Sequence, residues 1–394
     1  VADVPLGAFQ SGGIDSALVT ALMQAESPRP VKTFTIGFTA QGYDEARHAK
    51  QVAAHLGTEH TELYVEEREA REAIPHLPTW YDEPFADSSQ IPTQIVSRLA
   101  RRSVTVALSG DGGDELFAGY TRYQWGENVQ RVLGTVARPL RHGMASVLGA
   151  LSGEVLRGLT RLAPARLRPG HPEQKAAKLA ALLREKDADA AYRRLVSLWP
   201  EPERLMLRGS EPRGLLQDPN LQRTFRGFVE RMMLLDTLTY LPDDILTKVD
   251  RASMSVALEA RVPLLNHRVV EFAWRLPPAM KLRRGTTKWA LRRILDRHVP
   301  RALIERPKHG FAVPLAAWLR GPLRGWADDL LSQSALAGGY LDADAVAARW
   351  REHRTGERDW SAGLWAVLMF QSWLAQAGAA GEAPAPAAAR GGGD

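Results

Sequence analysis

The stretch that decides the fold is VPLGAFQSGGIDS, residues 4–16. Its first part, Val4 to Phe9, is a short apolar run that ends in small residues, as a buried strand does. The segment from Asp15 to Glu26 then has helical spacing, so the serines and glycines lie where a strand turns into a helix. At such a turn the backbone N–H groups and the helix N-terminus face an anion. The stretch therefore predicts an anion-binding loop after a buried strand.

The residues that follow continue the alternation of strand and helix that a parallel sheet requires. Strands are predicted over 4–9, 31–37, 59–65 and 103–108, and helices over 15–26, 44–56 and 92–102. This order predicts an α/β protein with a doubly wound parallel sheet, in which ligands bind at the carboxyl ends of strands.

The rest of the chain differs in composition from this first part. Residues 126–225 are rich in Arg, Leu and Ala, which predicts a helical, basic insertion, and residues 226–375 look helical throughout. The segment 376–394 is rich in Ala, Gly and Pro, so we expect a disordered tail. The expected organisation is a nucleotide-binding α/β half over 1–125, the insertion over 126–225, a helical second half over 226–375 as a C-terminal layer, and the tail.

Composition excludes several classes of protein. The chain has 394 residues, of which 45% are hydrophobic and 24% charged, as in ordinary globular proteins. No apolar run approaches the ~18–20 residues that span a bilayer, so an integral membrane protein is not expected. Cysteine is absent, which excludes disulfides, Cys-ligated metals and a cysteine nucleophile within this chain. A cytoplasmic location fits this composition.

Positive charge is concentrated in one segment. The net charge is +6, and residues 131–184 hold ten Lys or Arg against two Glu. Such a segment is typical of a surface for nucleic acid or for an anionic membrane, or of a solvated helix face. Because the basic residues alternate with Leu, Val and Ala and lack bulky aromatic neighbours, we favour the solvated face.

A second glycine-rich loop, SGDGGDE at residues 109–115, follows the fourth predicted strand. Neither loop is a P-loop, since no Gly-Lys pair follows, and the second lacks the last glycine of the dinucleotide fingerprint. A carboxylate such as Asp15 is unfavourable among anion donors unless a cation lies between, and Mg²⁺ takes carboxylate and phosphate oxygens together. Two such loops at one sheet edge predict a phosphate–magnesium site.

The chain resembles a known family over these loops and well beyond them. Residues 4–16, 34–38, 55–60, 82–87, 109–120, 249–251, 259–263 and 308–311 resemble, in order, segments of the glutamine-dependent asparagine synthetases. The resemblance covers residues 1–125 and 235–375 and concerns the synthetase domain, a member of the ATP-pyrophosphatase superfamily. It implies an adenine-nucleotide alpha-hydrolase-like fold and an ATP-dependent carbon–nitrogen ligase, with ATP and Mg²⁺ as cofactors.

The resemblance also implies a reaction and roles for single residues. The side-chain carboxylate of aspartate attacks the α-phosphate of ATP, pyrophosphate leaves, and ammonia displaces AMP to give asparagine. Asp15 and Asp114 match the Mg²⁺ ligands, Asp111 the acid near the attacking amine, and Lys308 a lysine that steadies the charged phosphates. The residues that match the pyrophosphate cradle are Ser11, Gly12, Gly13 and Ser16. The residues that match the adenosine-lining positions are Gln10, Ile36, Ser109 and Gly110.

Three departures from the family pattern leave the acceptor open. Gln10 stands where the family usually has Leu, Asp111 where many asparagine synthetases have Glu, and Ala17 where Ser is common. A paralogue that amidates another carboxylate, or that closes a peptide or macrolactam, would use the same adenylation chemistry. A weakly catalytic binding protein and an RNA-modifying enzyme are further alternatives.

The nitrogen source follows from the same resemblance. Full-length relatives carry an N-terminal glutaminase domain whose nucleophile is an N-terminal Cys. This sequence begins at Val1, on the first strand of the synthetase, and contains no Cys. The glutaminase domain is therefore expected to be absent from this chain, as a separate subunit or because the chain is a fragment, and ammonia is the expected nitrogen donor. The expected partners are aspartate, ammonia and a glutaminase domain or subunit, with a homodimer left open and neither membrane nor nucleic acid expected.

Overall fold

The computed structural model describes residues 3–38, 46–151, 172–199, 201–225, 227–305 and 313–379, together with positions 155 and 158. Its strands are β1 (Leu6–Phe9), β2 (Lys32–Phe38), β3 (Glu59–Val65), β4 (Val106–Leu108) and β5 (Glu259–Arg261). Among the described residues, no helix combines the length and the apolar character that a membrane crossing requires.

Helices make up most of the rest of the described chain. Those before residue 150 are α1 (Ile14–Ala25), α2 (Ala46–Leu56), α3 (Glu67–Glu72), α4 (Leu77–Trp80), α5 (Gln90–Arg101), α6 (Gly113–Leu116), α7 (Thr121–Thr135) and α8 (Arg138–Ala150). Those between residues 172 and 275 are α9 (Pro172–Arg184), α10 (Ala188–Val196), α11 (Pro219–Thr224), α12 (Phe228–Leu238), α13 (Thr247–Met254) and α14 (His267–Arg275). The remaining ones are α15 (Pro278–Lys281), α16 (Trp289–Leu295), α17 (Arg301–Ile304), α18 (Leu315–Arg320), α19 (Arg324–Leu330), α20 (Ala343–Thr355) and α21 (Ser361–Ala379).

The strands form one parallel sheet in the order β3-β2-β1-β4-β5. Gly7 of β1 is in register with Lys32 of β2 on one side and with Ala107 of β4 on the other. The chain thus builds outward from β1 in one direction and then returns to add β4 and β5 on the opposite side. The predicted doubly wound parallel sheet is confirmed, and its switch point lies between β1 and β4, where such sheets bind ligands.

The differences from the predicted elements lie at ends and edges. Strand β3 has the predicted bounds, and Gly57, at φ 69°, follows the last residue of α2 in the left-handed conformation that glycine favours. The strand β5 was not predicted, because 226–375 was expected to be helical throughout; it is a three-residue edge strand with charged ends. Helix α21 continues to Ala379, and the part of the predicted tail at 380–394 lies outside the described residues.

The described residues group into two compact units. Unit 1 comprises the described residues within 1–119, 201–212 and 236–394, and unit 2 comprises those within 120–200 and 213–235. In unit 1, Leu18 and Ala21 of α1 share a buried apolar cluster with Leu291 and Leu295 of α16. This packing brings the start of α16 to the start of α1.

In unit 2, one residue of the basic segment is not part of a solvated face. The Arg141 side chain is 3% exposed and donates to the backbone carbonyls of Val136, Leu183 and Glu185. Much of the segment from 152 to 171 lies outside the described residues. The expectation of a solvated face is therefore wrong for Arg141, which ties α8 to the end of α9.

Candidate active site

The first loop connects β1 to α1 and is organised by two serines. The hydroxyl oxygens of Ser11 and Ser16 are 2.9 Å apart, and the backbone N–H groups of Ser11 and Gly13 donate to these oxygens at 3.2 and 3.3 Å. Gly12 has φ 70°, a left-handed conformation that glycine adopts without a steric penalty. The result is a tight turn at the start of the 12-residue helix α1, which suits an anion.

The second loop connects β4 to α6 at the neighbouring position of the sheet. The backbone N–H of Ser109 donates to the carbonyl oxygen of Arg261 on β5 at 2.8 Å. The Ser109 hydroxyl donates to the Asp111 carboxylate. Gly112, at φ 81°, then reverses the backbone before α6. The loop thus holds Asp111 and Asp114 on either side of a glycine turn.

The two loops pack directly against each other through glycines of the second loop. A Cβ atom at Gly110 would lie 2.7 Å from the backbone nitrogen of Ser16, and one at Gly113 would lie 2.6 Å from Cγ of Asp15. Real Cβ atoms do not approach backbone so closely, so Gly110 requires glycine, while a side chain at Gly113 would displace the Asp15 carboxylate. The structure therefore brings together the cradle, adenosine-lining and metal positions predicted for the two loops.

A residue that the sequence did not single out joins the loops. The Lys288 ammonium contacts the carboxylate of Asp15 and lies 2.7 Å from Oδ1 of Asp114. Its side chain is 5% exposed. Lys288 precedes α16, and its own φ is 52°. No motif marks it in the sequence, where it is one of 51 Lys or Arg.

The electrostatics of this triad favour a positive charge between the two carboxylates. Burial alone would lower the pKa of the Lys288 ammonium, but the charges of Asp15 and Asp114 outweigh burial and raise it. The ammonium is thus a stand-in for a cation between two carboxylates, one from each loop. Mg²⁺ usually takes one or two protein carboxylates and completes its shell with phosphate oxygens and water. The donor set of Asp15 and Asp114 fits that ion.

The adenosine-lining positions lie at the same edge but differ in character. Ile36 is 1% exposed and lies two residues beyond Phe34, the β2 partner of the last residue of β1. Gln10 is also 1% exposed; its backbone N–H donates to Phe34, while both polar atoms of its side chain are buried without a hydrogen-bond partner. An unpaired buried amide is costly, so Gln10 is the anomalous residue of the site.

A second charged cluster, which the sequence also did not reveal, lies around Lys248. Lys248 of α13 lies 2.7 Å from Oδ2 of Asp87, and the charge of Asp111 also acts on it. Burial would lower the pKa of Lys248, but Asp87 outweighs burial and raises it. Asp244 belongs to a π-helical segment, Leu241–Leu246, of a kind that often marks functional sites. Burial and the Asp87 charge raise the pKa of Asp244 to about 7.

One predicted site residue is not placed by the structure. Lys308 lies outside the described residues, as do its neighbours in the stretch 306–312. Its expected role near the phosphates therefore stays a prediction.

Comparisons with known proteins bear on the family of the chain. The Asparagine synthase family model matches residues 1–375. A putative asparagine synthetase [glutamine-hydrolyzing] of Mycobacterium tuberculosis is 38% identical over 375 residues, which cover 95% of this chain and 55% of that protein. Asparagine synthetase [glutamine-hydrolyzing] 1 of Bacillus subtilis is 30% identical over 376 residues, covering 94% of this chain and 56% of that protein.

A more distant relative is named differently, as an amidase. Amidase chry2 of Gibberella zeae is 23% identical over 381 residues, covering 88% of this chain and 54% of that protein. The chain spans about half the length of these curated relatives. The resemblance found in the sequence is confirmed, and the chain belongs to the asparagine synthase family.

Proposed function

We propose that this chain catalyses ATP-dependent amide formation, with aspartate as the acceptor and ammonia as the nitrogen donor. The observation that carries the proposal is the Lys288 ammonium between Asp15 and Asp114, because it marks a cation position beside an anion-binding loop. ATP bound there would place its β- and γ-phosphates on the Ser11–Ser16 turn and its base toward β2.

Each group of the chain then has a task. The backbone N–H groups and hydroxyls of the first loop bind the leaving pyrophosphate and hold ATP in line for attack at the α-phosphate. Mg²⁺, held by Asp15 and Asp114, would neutralise charge on that leaving group. Asp111, oriented by the Ser109 hydroxyl, accepts a proton as ammonia attacks the acyl-adenylate. Lys308 is assigned to the phosphates on the family resemblance.

The test is a product analysis on the purified 394-residue chain with Mg²⁺, ATP, aspartate and ammonium chloride. Asparagine, AMP and pyrophosphate are the expected products, and ADP with inorganic phosphate would contradict the proposal. We expect Asp15→Asn and Asp114→Asn to lower the rate about 100-fold or more. Lys308→Ala should chiefly slow adenylate formation, while Ala17→Ser, outside the phosphate contacts, serves as the control.

A second candidate keeps the chemistry and changes the acceptor. The buried Gln10, which replaces the usual Leu, and the shorter acid Asp111 favour a paralogue that amidates another carboxylate. Pyrophosphate release measured with aspartate, with other carboxylic acids and with tRNA separates the two candidates and also tests RNA modification. Turnover with another acid and none with aspartate would select the paralogue.

A further inference from the structure

Lys288 has an unusual backbone conformation. Its φ of 52° lies in the left-handed region, which costs energy for any residue with a Cβ atom. The backbone N–H of Lys288 donates to the carbonyl oxygen of Phe117 at 3.1 Å. Ala118, the residue after Phe117, is itself left-handed at φ 55°. Two strained residues in hydrogen-bonded segments persist only where the surroundings fix them.

The side chain of Lys288 is also closely packed by its neighbours. Gly119 lies against both the Asp114 carboxylate and the Lys288 stem, and a Cβ atom there would collide with each of them. The Lys288 side chain is 5% exposed, and those of Asp15 and Asp114 are 14% and 18% exposed. The ammonium is therefore enclosed by the glycine and the two carboxylates.

The position of the ammonium conflicts with that of a metal ion. Lys288 contacts Oδ2 of Asp15 and Oδ1 of Asp114, so a divalent cation bound by both carboxylates at the ~2.0–2.1 Å that Mg²⁺ requires would lie next to the ammonium. Its two positive charges would also repel the adjacent ammonium at short range in a buried site. With Lys288 in this position, a divalent cation between the two carboxylates is therefore disfavoured.

We propose that Lys288 closes the divalent-cation position of Asp15 and Asp114 in the nucleotide-free protein, and that a bound nucleoside triphosphate opens it by drawing the ammonium onto phosphate oxygens. This inference rests on the proposed function, which assigns the metal and the phosphates to these loops. The consequence is a preferred binding order: the metal binds tightly together with the nucleotide, and the bare metal binds the site only weakly.

The size of the effect follows from the population of the open state. If Lys288 leaves the carboxylates in ~10% of molecules or fewer, the apparent dissociation constant for a bare metal is about tenfold or more weaker than in a protein that is always open. Lys288→Gln removes the charge and keeps most of the stem. It should therefore bind a bare divalent cation about tenfold or more tightly than wild type.

The experiment is a Mn²⁺ titration of the full chain, followed by the electron paramagnetic resonance signal of free Mn²⁺, without nucleotide and with α,β-methylene-ATP. The expected results are weak binding by nucleotide-free wild type, tight binding by nucleotide-free Lys288→Gln, and weak binding by Lys288→Arg, which keeps the charge. Lys281→Gln is the matched control, because Lys281 is equally buried, at 3% exposed, and lies over the Trp274 ring instead. It should bind Mn²⁺ like wild type.

Two results would overturn the inference. One is tight Mn²⁺ binding by nucleotide-free wild type that Asp114→Asn abolishes, which needs no variant at Lys288 and decides the matter even if Lys288→Gln fails to fold. The other is a folded Lys288→Gln protein that binds bare Mn²⁺ no better than wild type. The proposed function fails separately, if Asp15→Asn and Asp114→Asn leave Mn²⁺ binding in the nucleotide complex unchanged.

Discussion

The Lys248 ammonium lies 2.7 Å from Oδ2 of Asp87, with 11% and 21% of the two side chains exposed. Asp87 also accepts hydrogen bonds from the backbone N–H and the hydroxyl of Ser89, at 2.9 and 2.7 Å. Burial would raise the pKa of the Asp87 carboxyl, but Lys248 more than offsets burial and lowers it. The pair thus joins α13 to the segment just before α5.

Breaking this buried pair should destabilise the protein strongly. We expect Lys248→Met to cost about 3–5 kcal/mol, because it leaves the buried Asp87 charge without its partner, and Asp87→Asn to cost less, because Asp244 and Asp111 also act on Lys248. The double variant should cost less than the sum of the two. Urea unfolding measures both effects. Arg68→Ala, which breaks the exposed Arg68–Glu72 pair, should change stability by no more than about 0.5 kcal/mol; equal losses from both pairs would contradict the argument.

Asp244 should make stability depend on pH. Its pKa is raised from 3.8 to about 7 in the folded protein, so between these values the folded state keeps a proton that the unfolded state has released. Wild type should therefore lose stability relative to Asp244→Asn as pH rises from about 4 to about 7, by ~2–4 kcal/mol in total. Unfolding free energies measured across this range check the slope.

The control for this pH dependence is the adjacent, exposed Asp243. Asp243→Asn should give a stability curve parallel to that of wild type. Parallel curves for wild type and Asp244→Asn would show that Asp244 ionises normally.

Gly119 should tolerate no side chain. Gly119→Ala would force apart Asp114 and Lys288, and we expect a loss of about 1–3 kcal/mol together with weaker binding of the ATP analogue. Gly134→Ala is the matched control, because nothing lies within 4 Å of a Cβ there and the residue is in α7. That control should gain about 0.5–1 kcal/mol. Thermal unfolding and a nucleotide titration distinguish them; normal nucleotide affinity in Gly119→Ala would refute the packing argument.

Gln10 should be replaceable by the residue that the family usually has. Gln10→Leu removes two unpaired buried polar atoms and should raise the unfolding free energy by about 1–3 kcal/mol, with equal or better ATP affinity. Gln371→Leu should do the opposite, because the buried Gln371 amide donates to the Ala335 carbonyl at 2.8 Å. A clear loss of ATP affinity in Gln10→Leu would show that Gln10 contacts a ligand.

Much of the sheet could be predicted because its signal is local. The run from Glu59 to Val65 alternates within seven residues, and the two glycine loops follow adjacent strands, so both β3 and the meeting of the loops were predictable. The strand β5 was not, because three residues carry no period and its pairing with β4 spans about 150 positions of the chain.

The charged side chains from the second half of unit 1 could not be predicted. Lys288 reaches Asp15 across 273 positions, because α16 packs on α1 and because the left-handed backbone of Lys288 and the space at Gly119 admit its side chain. The same holds for Lys248, whose contact with Asp87 spans 161 positions. Such contacts depend on how helices pack on the sheet, which no short motif specifies.

The fit of Gly110 and Gly113 against Asp15 and Ser16 also bears on engineering. Grafting the SGGIDS hexapeptide onto another parallel sheet would transfer its sequence. It would leave Asp15 without the second loop, whose glycines pack against it. A working graft would need both loops and the two strands that carry them, with Gly110 and Gly113 kept at the contact between the loops. The smallest unit of the two-loop contact that could be transferred is therefore a pair of neighbouring strands with their loops. Mutant libraries that vary one loop alone would contain mostly sequences that do not fit against the other loop.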